Sequence, residues 1–202
     1  QQRSSSSDGP VVFHSPAAGA LHKLVADHVV HGRVIFPGAG YLEMARAAVA
    51  SALCGVYFLQ PLAVGAAGQI VECVVSGGRF EVRSYAEADS SDGATAHCAG
   101  STITEGVMQR TKHACVRAHC HAVDVSAVYD GFDAVGLQYG PGYRTLQSAW
   151  GGSIDAVARL RARSTYEGTQ VHPADLDDAL CTSAAISSSD GDGGETRLPF
   201  AI

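Results

Sequence analysis

The sequence predicts an α+β fold in which antiparallel strands pack around one central helix in each half of the chain. Strand-like segments separated by glycine-containing turns occupy residues 56–103, and helical periodicity appears before them, at 39–53, and again after residue 172. The chain has 202 residues, of which 46% are hydrophobic and 17% are charged. It is therefore long enough to bury a core of one or two domains, and it is not intrinsically disordered.

In the first half, a strand leads into a helix. The serine-rich start, residues 1–9, predicts a linker, and a valine-rich segment predicts a strand at 28–36. A Pro-Gly pair at 37–38 interrupts the strand, and apolar residues at helical spacing then predict a helix over 39–53 with small residues on one face, against which a sheet can pack closely. Four further strands are predicted at 56–64, 69–75, 79–86 and 96–103.

The second half has a similar layout without a repeat at the level of residues. A helix is predicted at 125–135, a Gly/Pro turn followed by a strand at 136–150, and another strand at 155–163. His172-Pro173 opens a second main helix, with Pro173 in the first turn, where its missing N–H is harmless. The predicted organisation is a linker at 1–9, a first domain at 10–105, a linker at 106–122 and a second domain at 123–202.

Charge and hydropathy exclude two classes of partner. The net charge of −6 argues against nucleic acid, which needs a clustered basic surface. No uninterrupted apolar run is long enough for a transmembrane helix, so we expect no membrane contact. The six scattered cysteines predict reduced thiols and a cytoplasmic location. Because the chain has no initiator Met and ends on a strand-like LPFAI, we expect it to be part of a longer polypeptide.

Three motifs occur in a fixed order. The first is H-x-x-x-G-x-x-x-x-P-G, formed by His28, Gly32, Pro37 and Gly38; the second is the Y-G-P-G-Y segment at 139–143. The third is the segment His172-Pro173-Ala174-Asp175-Leu176-Asp177-Asp178-Ala179-Leu180-Cys181. In these motifs the chain resembles the dehydratase domains of polyketide synthases, whose second signature, Y-G-P-x-F, has Phe where this chain has Tyr143. The resemblance covers nearly all of the chain after residue 10 and implies a double hot dog fold whose last C-terminal strands are missing here.

The resemblance also implies roles for individual residues. Dehydration of a β-hydroxyacyl thioester needs a base for the α-proton, an acid for the departing hydroxyl and a donor to the thioester oxygen. By resemblance His28 is the base, Asp177 is the acid, and the backbone N–H of Gly38, at the start of a helix, is the thioester donor. Each has a structural alternative: a histidine bonded to the backbone, a helix-capping aspartate, and a glycine required by a turn.

Supporting roles fall on Tyr139, as a hydrogen-bond donor to the acid or the substrate, and on Cys181. The family has Gln or His at the position of Cys181, where it orients the acid, and a thiol is a weak substitute. The remaining motif residues are expected to be structural: Gly32 for close backbone approach, Pro37 for helix initiation, and Gly140, Pro141, His172 and Pro173.

Two nearby groups are not expected to belong to the site. Leu176 and Leu180 predict a buried neighbouring face of the second helix, so Asp175 and Asp178 are expected to point to solvent. The His and Cys residues between 113 and 121 match no common zinc spacing, so no metal site is predicted.

The sequence therefore predicts a dehydratase that forms an α,β-unsaturated thioester in polyketide biosynthesis. The resemblance implies no cofactor beyond the phosphopantetheine that carries the substrate, and it implies acyl carrier protein and flanking synthase domains as partners, with a possible homodimer. Two alternatives stay open on the same fold: a product-template or cyclase-type domain, and a catalytically silent domain, for which Cys181 is the reason.

Overall fold

A computed structural model describes residues 2–5, 9–89, 93–103 and 113–186 of the chain. In chain order, the helices and strands are β1 (Gln2–Ser5), β2 (Val11–Pro16), α1 (Ala20–Val25), β3 (His28–Val30), β4 (Arg33–Val34), α2 (Gly38–Val49), β5 (Ala52–Phe58), β6 (Gln69–Ser76), β7 (Arg79–Ala86), β8 (Thr95–Ile103), α3 (His113–Arg117), β9 (His121–Val123), α4 (Val125–Ala134), β10 (Leu137–Tyr139), β11 (Leu146–Gly151), β12 (Ala156–Leu160) and α5 (Pro173–Cys181). Short 3₁₀ helices lie at Pro141–Tyr143 and Thr182–Ala185.

The described residues divide into two compact units. The first contains residues up to Ala26 and the chain from Val34 through residue 103; the second contains Asp27–Arg33 and residues 113–186. The short segment Asp27–Arg33, which carries β3, therefore belongs with the C-terminal part of the chain.

The first unit is a six-stranded antiparallel sheet with the order β1-β2-β6-β7-β8-β5, packed with helix α2. Strand β7 alternates strictly, with Phe80, Val82 and Ser84 buried, as expected for a sheet with one face in a core. Small residues allow close packing here: a Cβ added to Gly40 of α2 would lie 2.8 Å from the ring of Phe36.

The second unit contains the antiparallel strand pair β3 and β10 and a three-stranded sheet with the order β12-β11-β9. Its core consists of the aromatic and apolar side chains Tyr129, Leu137, Tyr139, Tyr143, Leu146 and Ala174. Together the two units combine helices with antiparallel sheets, which confirms the predicted α+β class.

Two predicted elements end differently in the structure. The helix predicted over 39–53 stops at Val49 because Ala50 adopts a left-handed conformation with φ 52°, and β5 begins at Ala52. The strand predicted over 28–36 is interrupted by a turn in which His31 and Gly32 have φ values of 47° and 73°. A Cβ on Gly32 would contact nothing within 4 Å, so this glycine serves the left-handed turn, and the expected close backbone approach is wrong.

Ordered elements also lie inside both predicted linkers. Strand β1, within residues 1–9, pairs with β2; helix α3 lies within 106–122, and strand β9 begins there and ends at Val123. Residues 104–112 and 187–202, which include the LPFAI segment, lie outside the described residues. The predicted domain boundaries stay a prediction.

Two general features complete the fold. Among the helices described, none has the length and apolar character needed to cross a bilayer. All six cysteines lie in the described ranges and are free thiols.

Candidate active site

His28 is held in the second unit by strand pairing and by two tyrosine rings. It begins β3 and lies opposite Tyr139 of β10 in the antiparallel register. The ring centroids of Tyr139 and Tyr143 each lie 5.4 Å from that of the imidazole. Only 7% of His28 is exposed. The backbone register thus fixes the imidazole in an aromatic, largely dry environment.

Asp177 meets His28 in this environment. It lies on α5, is 8% exposed, and its Oδ2 is 4.0 Å from the Nε2 of His28. That separation is longer than a direct hydrogen bond. The two residues are far apart in the sequence, and the fold brings them together in one buried place.

The Asp177 carboxyl is poised to hold a proton. Burial raises its pKa from the usual value, and Asp178 adds to the rise, while His28 and the Tyr139 hydroxyl oppose it. Its Oδ2 is buried and receives no hydrogen bond from the described residues. A carboxyl in this state is suited to donate a proton rather than to accept one.

Tyr139 and Cys181 form a polar pair beside the acid. The Tyr139 hydroxyl lies 3.5 Å from the Cys181 sulfur, and burial raises the pKa of this hydroxyl. Burial, followed by the neighbouring Asp177, raises the pKa of the Cys181 thiol to about 12. Cys181 is therefore a neutral thiol at pH 7, which argues against a nucleophilic role.

Tyr143 is a site residue that the sequence marked only as a departure from a motif. It is 2% exposed, contacts His28, and its hydroxyl is buried without a hydrogen-bond partner among the described residues. A buried hydroxyl without a partner is costly, and its presence beside the His28–Asp177 pair marks a polar position in an otherwise aromatic wall.

Contacts with Asp27 give the reason for glycine at positions 140 and 142 of the second motif. Its carboxylate accepts a hydrogen bond of 2.6 Å from the N–H of Gly142, and its backbone carbonyl accepts one of 2.8 Å from the N–H of Gly140. A Cβ on either glycine would lie 2.5 or 2.7 Å from this carboxylate. Pro141 begins the 3₁₀ helix that contains Gly142 and Tyr143. Asp27 thereby links this helix to the strand that carries His28. The only sequence signal for Asp27 is its position next to His28.

The third motif forms the start of α5. The Nδ1 of His172 caps the helix by accepting the N–H of Ala174 at 3.1 Å, and Pro173 occupies the first helical position. Because His172 is the cap, the alternative interpretation of Asp177 as the helix cap does not apply.

The expectation that Asp175 and Asp178 point to solvent is wrong. Asp175 is half-buried and paired at 2.7 Å with Arg163, and Asp178 is fully buried. The buried face of α5 is formed by Pro173, Ala174, Asp177 and Asp178, whereas Leu176 and Leu180 are only half-buried. Asp178 can lie on the buried face because Thr145 and Tyr129 donate hydrogen bonds to it, and Arg163 donates to Asp175. Sequence periodicity does not reveal such partners.

Gly38 and Pro37 lie in the first unit. Gly38 begins α2, and the carbonyl of Pro37 accepts the N–H of Gly40 at 2.9 Å, so the helix starts where the motif predicts. A Cβ on Gly38 would lie 3.2 Å from the ring of Phe58, which gives a packing reason for glycine here as well. No group of three or more metal-ligating side chains occurs within the described ranges, which include the histidines and cysteines at 113–121.

Two family models match the chain. One, described as polyketide synthase dehydratase domain, matches residues 1–87, and the other, polyketide synthase dehydratase N-terminal domain, matches residues 110–202. Only residues 88–109 lie outside both matches.

Relatives and solved structures agree with these models. Mycoketide-CoA synthase of Mycobacterium tuberculosis is 32% identical over 96% of this chain, and polyketide synthase PksN of Bacillus subtilis is 30% identical over 94%. The chain spans only 5% and 4% of their lengths. The dehydratase domain from the CurK module of curacin polyketide synthase superposes with a TM-score of 0.82 at 22% identity, covering all of this chain and 78% of that one. A trans-AT polyketide synthase dehydratase domain from Brevibacillus brevis gives a TM-score of 0.74 at 25% identity, covering 91% and 72%. The predicted double hot dog fold is thus confirmed, and the chain belongs to the polyketide synthase dehydratase domain family.

Proposed function

We propose that this chain eliminates water from a β-hydroxyacyl thioester to form the α,β-unsaturated thioester. The observation that carries the proposal is the buried His28–Asp177 pair, with 4.0 Å between Nε2 and Oδ2 and a raised pKa at the carboxyl. The reaction removes a proton from the α-carbon and adds one to the hydroxyl on the β-carbon. The site offers two groups suited to these two transfers.

Two proton transfers accomplish the elimination. Nε2 of His28 removes the α-proton of the thioester, and the carbon–oxygen bond at the β-carbon breaks while Asp177 donates its proton to the departing hydroxyl. The products are the enoyl thioester and one water molecule. Transfer of the proton from the His28 imidazolium back to the Asp177 carboxylate, across 4.0 Å, then restores the site.

The negative charge on the thioester oxygen needs a donor. We assign the role of hydrogen-bond donor to the N–H of Gly38. The position of Gly38 in the first turn of α2 supports this role, because backbone N–H groups there have no partner within the helix. The Tyr139 hydroxyl, close to Asp177 and Cys181, is assigned to orient the acid or the substrate hydroxyl.

Relatives support the two assigned roles. Two of the matched structures are described as inactive mutants of CurK dehydratase, one with an aspartate replaced by asparagine and the other with a histidine replaced by phenylalanine. Activity in that protein thus depends on one residue of each type, the two types that face each other here.

The same proposal includes the setting of the reaction. The chemistry needs no cofactor, since the proton donors and acceptors come from the chain, and the substrate is presented on the phosphopantetheine of an acyl carrier protein. Flanking synthase domains, a cytoplasmic location and a possible homodimer belong to the proposal as well.

The experiment is a dehydration assay on a β-hydroxyacyl pantetheine thioester, followed by the appearance of the enoyl product. We expect His28→Ala and Asp177→Asn each to lower the rate by about 100- to 10,000-fold. Asp175→Asn is the matched control, since Asp175 lies on the same helix and pairs with Arg163. Equal rates in parent, His28→Ala and Asp177→Asn would refute the proposal.

One observation favours a second candidate, a silent domain. Cys181 makes its contact with Tyr139, and the Oδ2 of Asp177 receives no hydrogen bond from the part of the chain that is described. If the parent is inactive and Cys181→Gln is active, the silent domain is the correct interpretation; an active parent excludes it.

A further inference from the structure

A second buried carboxylate lies next to the acid, and the mechanism above does not use it. Asp178 is fully buried on α5 and is surrounded by hydrogen-bond donors from other elements. We propose that Asp178 is a positioning residue, whose hydrogen-bonded carboxylate anchors α5 and favours the acid form of the adjacent Asp177. This inference rests on the proposed function, which assigns the acid role to Asp177.

Three donors converge on Asp178. Its Oδ2 accepts the backbone N–H and the hydroxyl of Thr145, both at 2.6 Å, and the Tyr129 hydroxyl lies 3.0 Å from each carboxylate oxygen. The Tyr129 oxygen itself accepts the N–H of Leu146 at 3.1 Å, so its own proton is directed to Asp178. A group that only accepts suits the ionised carboxylate.

These bonds connect α5 to two other elements of the second unit. Thr145 and Leu146 stand at the beginning of β11, and Tyr129 lies on α4. Rotation or sliding of α5 would break these buried bonds, and would also change the 4.0 Å separation of Asp177 from His28. Asp178 is therefore placed to hold the acid in register with the base.

The charge of Asp178 has no cationic partner in the described residues. Arg163 is engaged with Asp175, and Arg144 stacks over the Tyr129 ring at 5.3 Å and donates to the backbone carbonyl of Tyr139. An uncompensated negative charge in a buried setting disfavours a second one beside it.

The groups that face Asp177 divide into two sets. His28 and Tyr139 lower the pKa of Asp177, whereas burial and Asp178 raise it. Tyr143 and Cys181 are two further titratable groups close to Asp177, and burial keeps both of them neutral at pH 7. Burial raises the pKa of Asp178 as well, whereas its hydrogen bonds from Thr145 and Tyr129 lower it. Because those bonds favour the ionised carboxylate, we expect removal of Asp178 to shift the balance toward an ionised Asp177.

The test is a carboxyl ¹³C NMR titration of Asp177 in the full chain, compared among the parent, Asp178→Asn and Asp175→Asn. We expect Asp178→Asn to move the Asp177 titration to lower pH and to reduce turnover by at least about 10-fold. Asp175→Asn, which removes an equal charge from the same helix but one paired with Arg163, is expected to leave both unchanged. An Asp177 titration that is the same in all three proteins would overturn the charge role.

A second variant tests the anchor independently and remains informative if Asp178→Asn does not fold. Thr145→Val keeps the side-chain shape and the backbone donor but removes the hydroxyl that contacts Asp178. It is expected to lower turnover while Asp177 still titrates at raised pH, and unchanged turnover would overturn the positioning role. An inactive parent would refute the proposed function. The NMR titration needs no turnover, so it would still show whether Asp178 influences the protonation of Asp177.

Discussion

The alanine variant at Gly140 tests how tightly the second motif is built around Asp27. Gly140 has φ −75°, so its backbone alone does not require glycine. The requirement is space, because an added Cβ would lie 2.5 Å from the Asp27 carboxylate, against 3.4–4 Å for an ordinary contact. The carboxylate would have to move by about 1 Å, which would weaken its bond to Gly142.

Strain in a packed site typically costs about 1–3 kcal/mol, and an unmet buried N–H costs about 1–3 kcal/mol more. We therefore expect Gly140→Ala to lower the free energy of unfolding by about 2–6 kcal/mol, measured by urea denaturation. The matched control is Gly131→Ala on the exposed face of α4, where an added Cβ would contact nothing within 4 Å. Alanine is the better helix former, so this variant should gain about 0.5–1 kcal/mol. Equal stability of the two variants would refute the packing argument.

Two further predictions concern the acid and the thiol. Burial raises the pKa of Asp177 in the folded state, so its contribution to stability is complete below the unfolded pKa and is lost as the pH rises through the folded pKa. Asp177→Asn removes that loss, and urea denaturation should show its stability advantage over the parent growing as the pH rises above the unfolded pKa of about 4; an advantage that shrinks as the pH rises would contradict the assignment. Alkylation followed by mass spectrometry should find Cys181, whose pKa is raised to about 12, at least about 100-fold less reactive than exposed Cys115, and comparable rates would show that the thiol is not buried.

Sequence periodicity predicted the elements whose packing is regular. Strands β6, β7 and β8 and helices α4 and α5 all begin within a residue of the predicted positions, and β7 shows the alternation expected of a strand with one buried face. The predicted α2 ran too far because Leu53 continues the helical spacing, although the left-handed Ala50 ends the helix. The turn at His31–Gly32 was also missed, because apolar residues on both sides of it predict one continuous strand.

The polar framework of the site was beyond sequence reasoning. Asp178 is buried because Thr145 and Tyr129, 33 and 49 positions away, supply its hydrogen bonds. Asp27 matters because it meets Gly142, 115 positions away. Such partners are set by tertiary contacts, whereas His28 and Asp177 were named from motifs, and their assigned roles stay a proposal.

The most direct test of the account is the pH dependence of dehydration by the parent protein, compared with the Asp177 titration measured by NMR. If Asp177 must donate a proton, the rate falls as the pH rises, with a midpoint that matches the titration of Asp177. A rate that stays level or increases across that titration would show that the protonated carboxyl is not required, and would contradict the assignment of Asp177 as the acid.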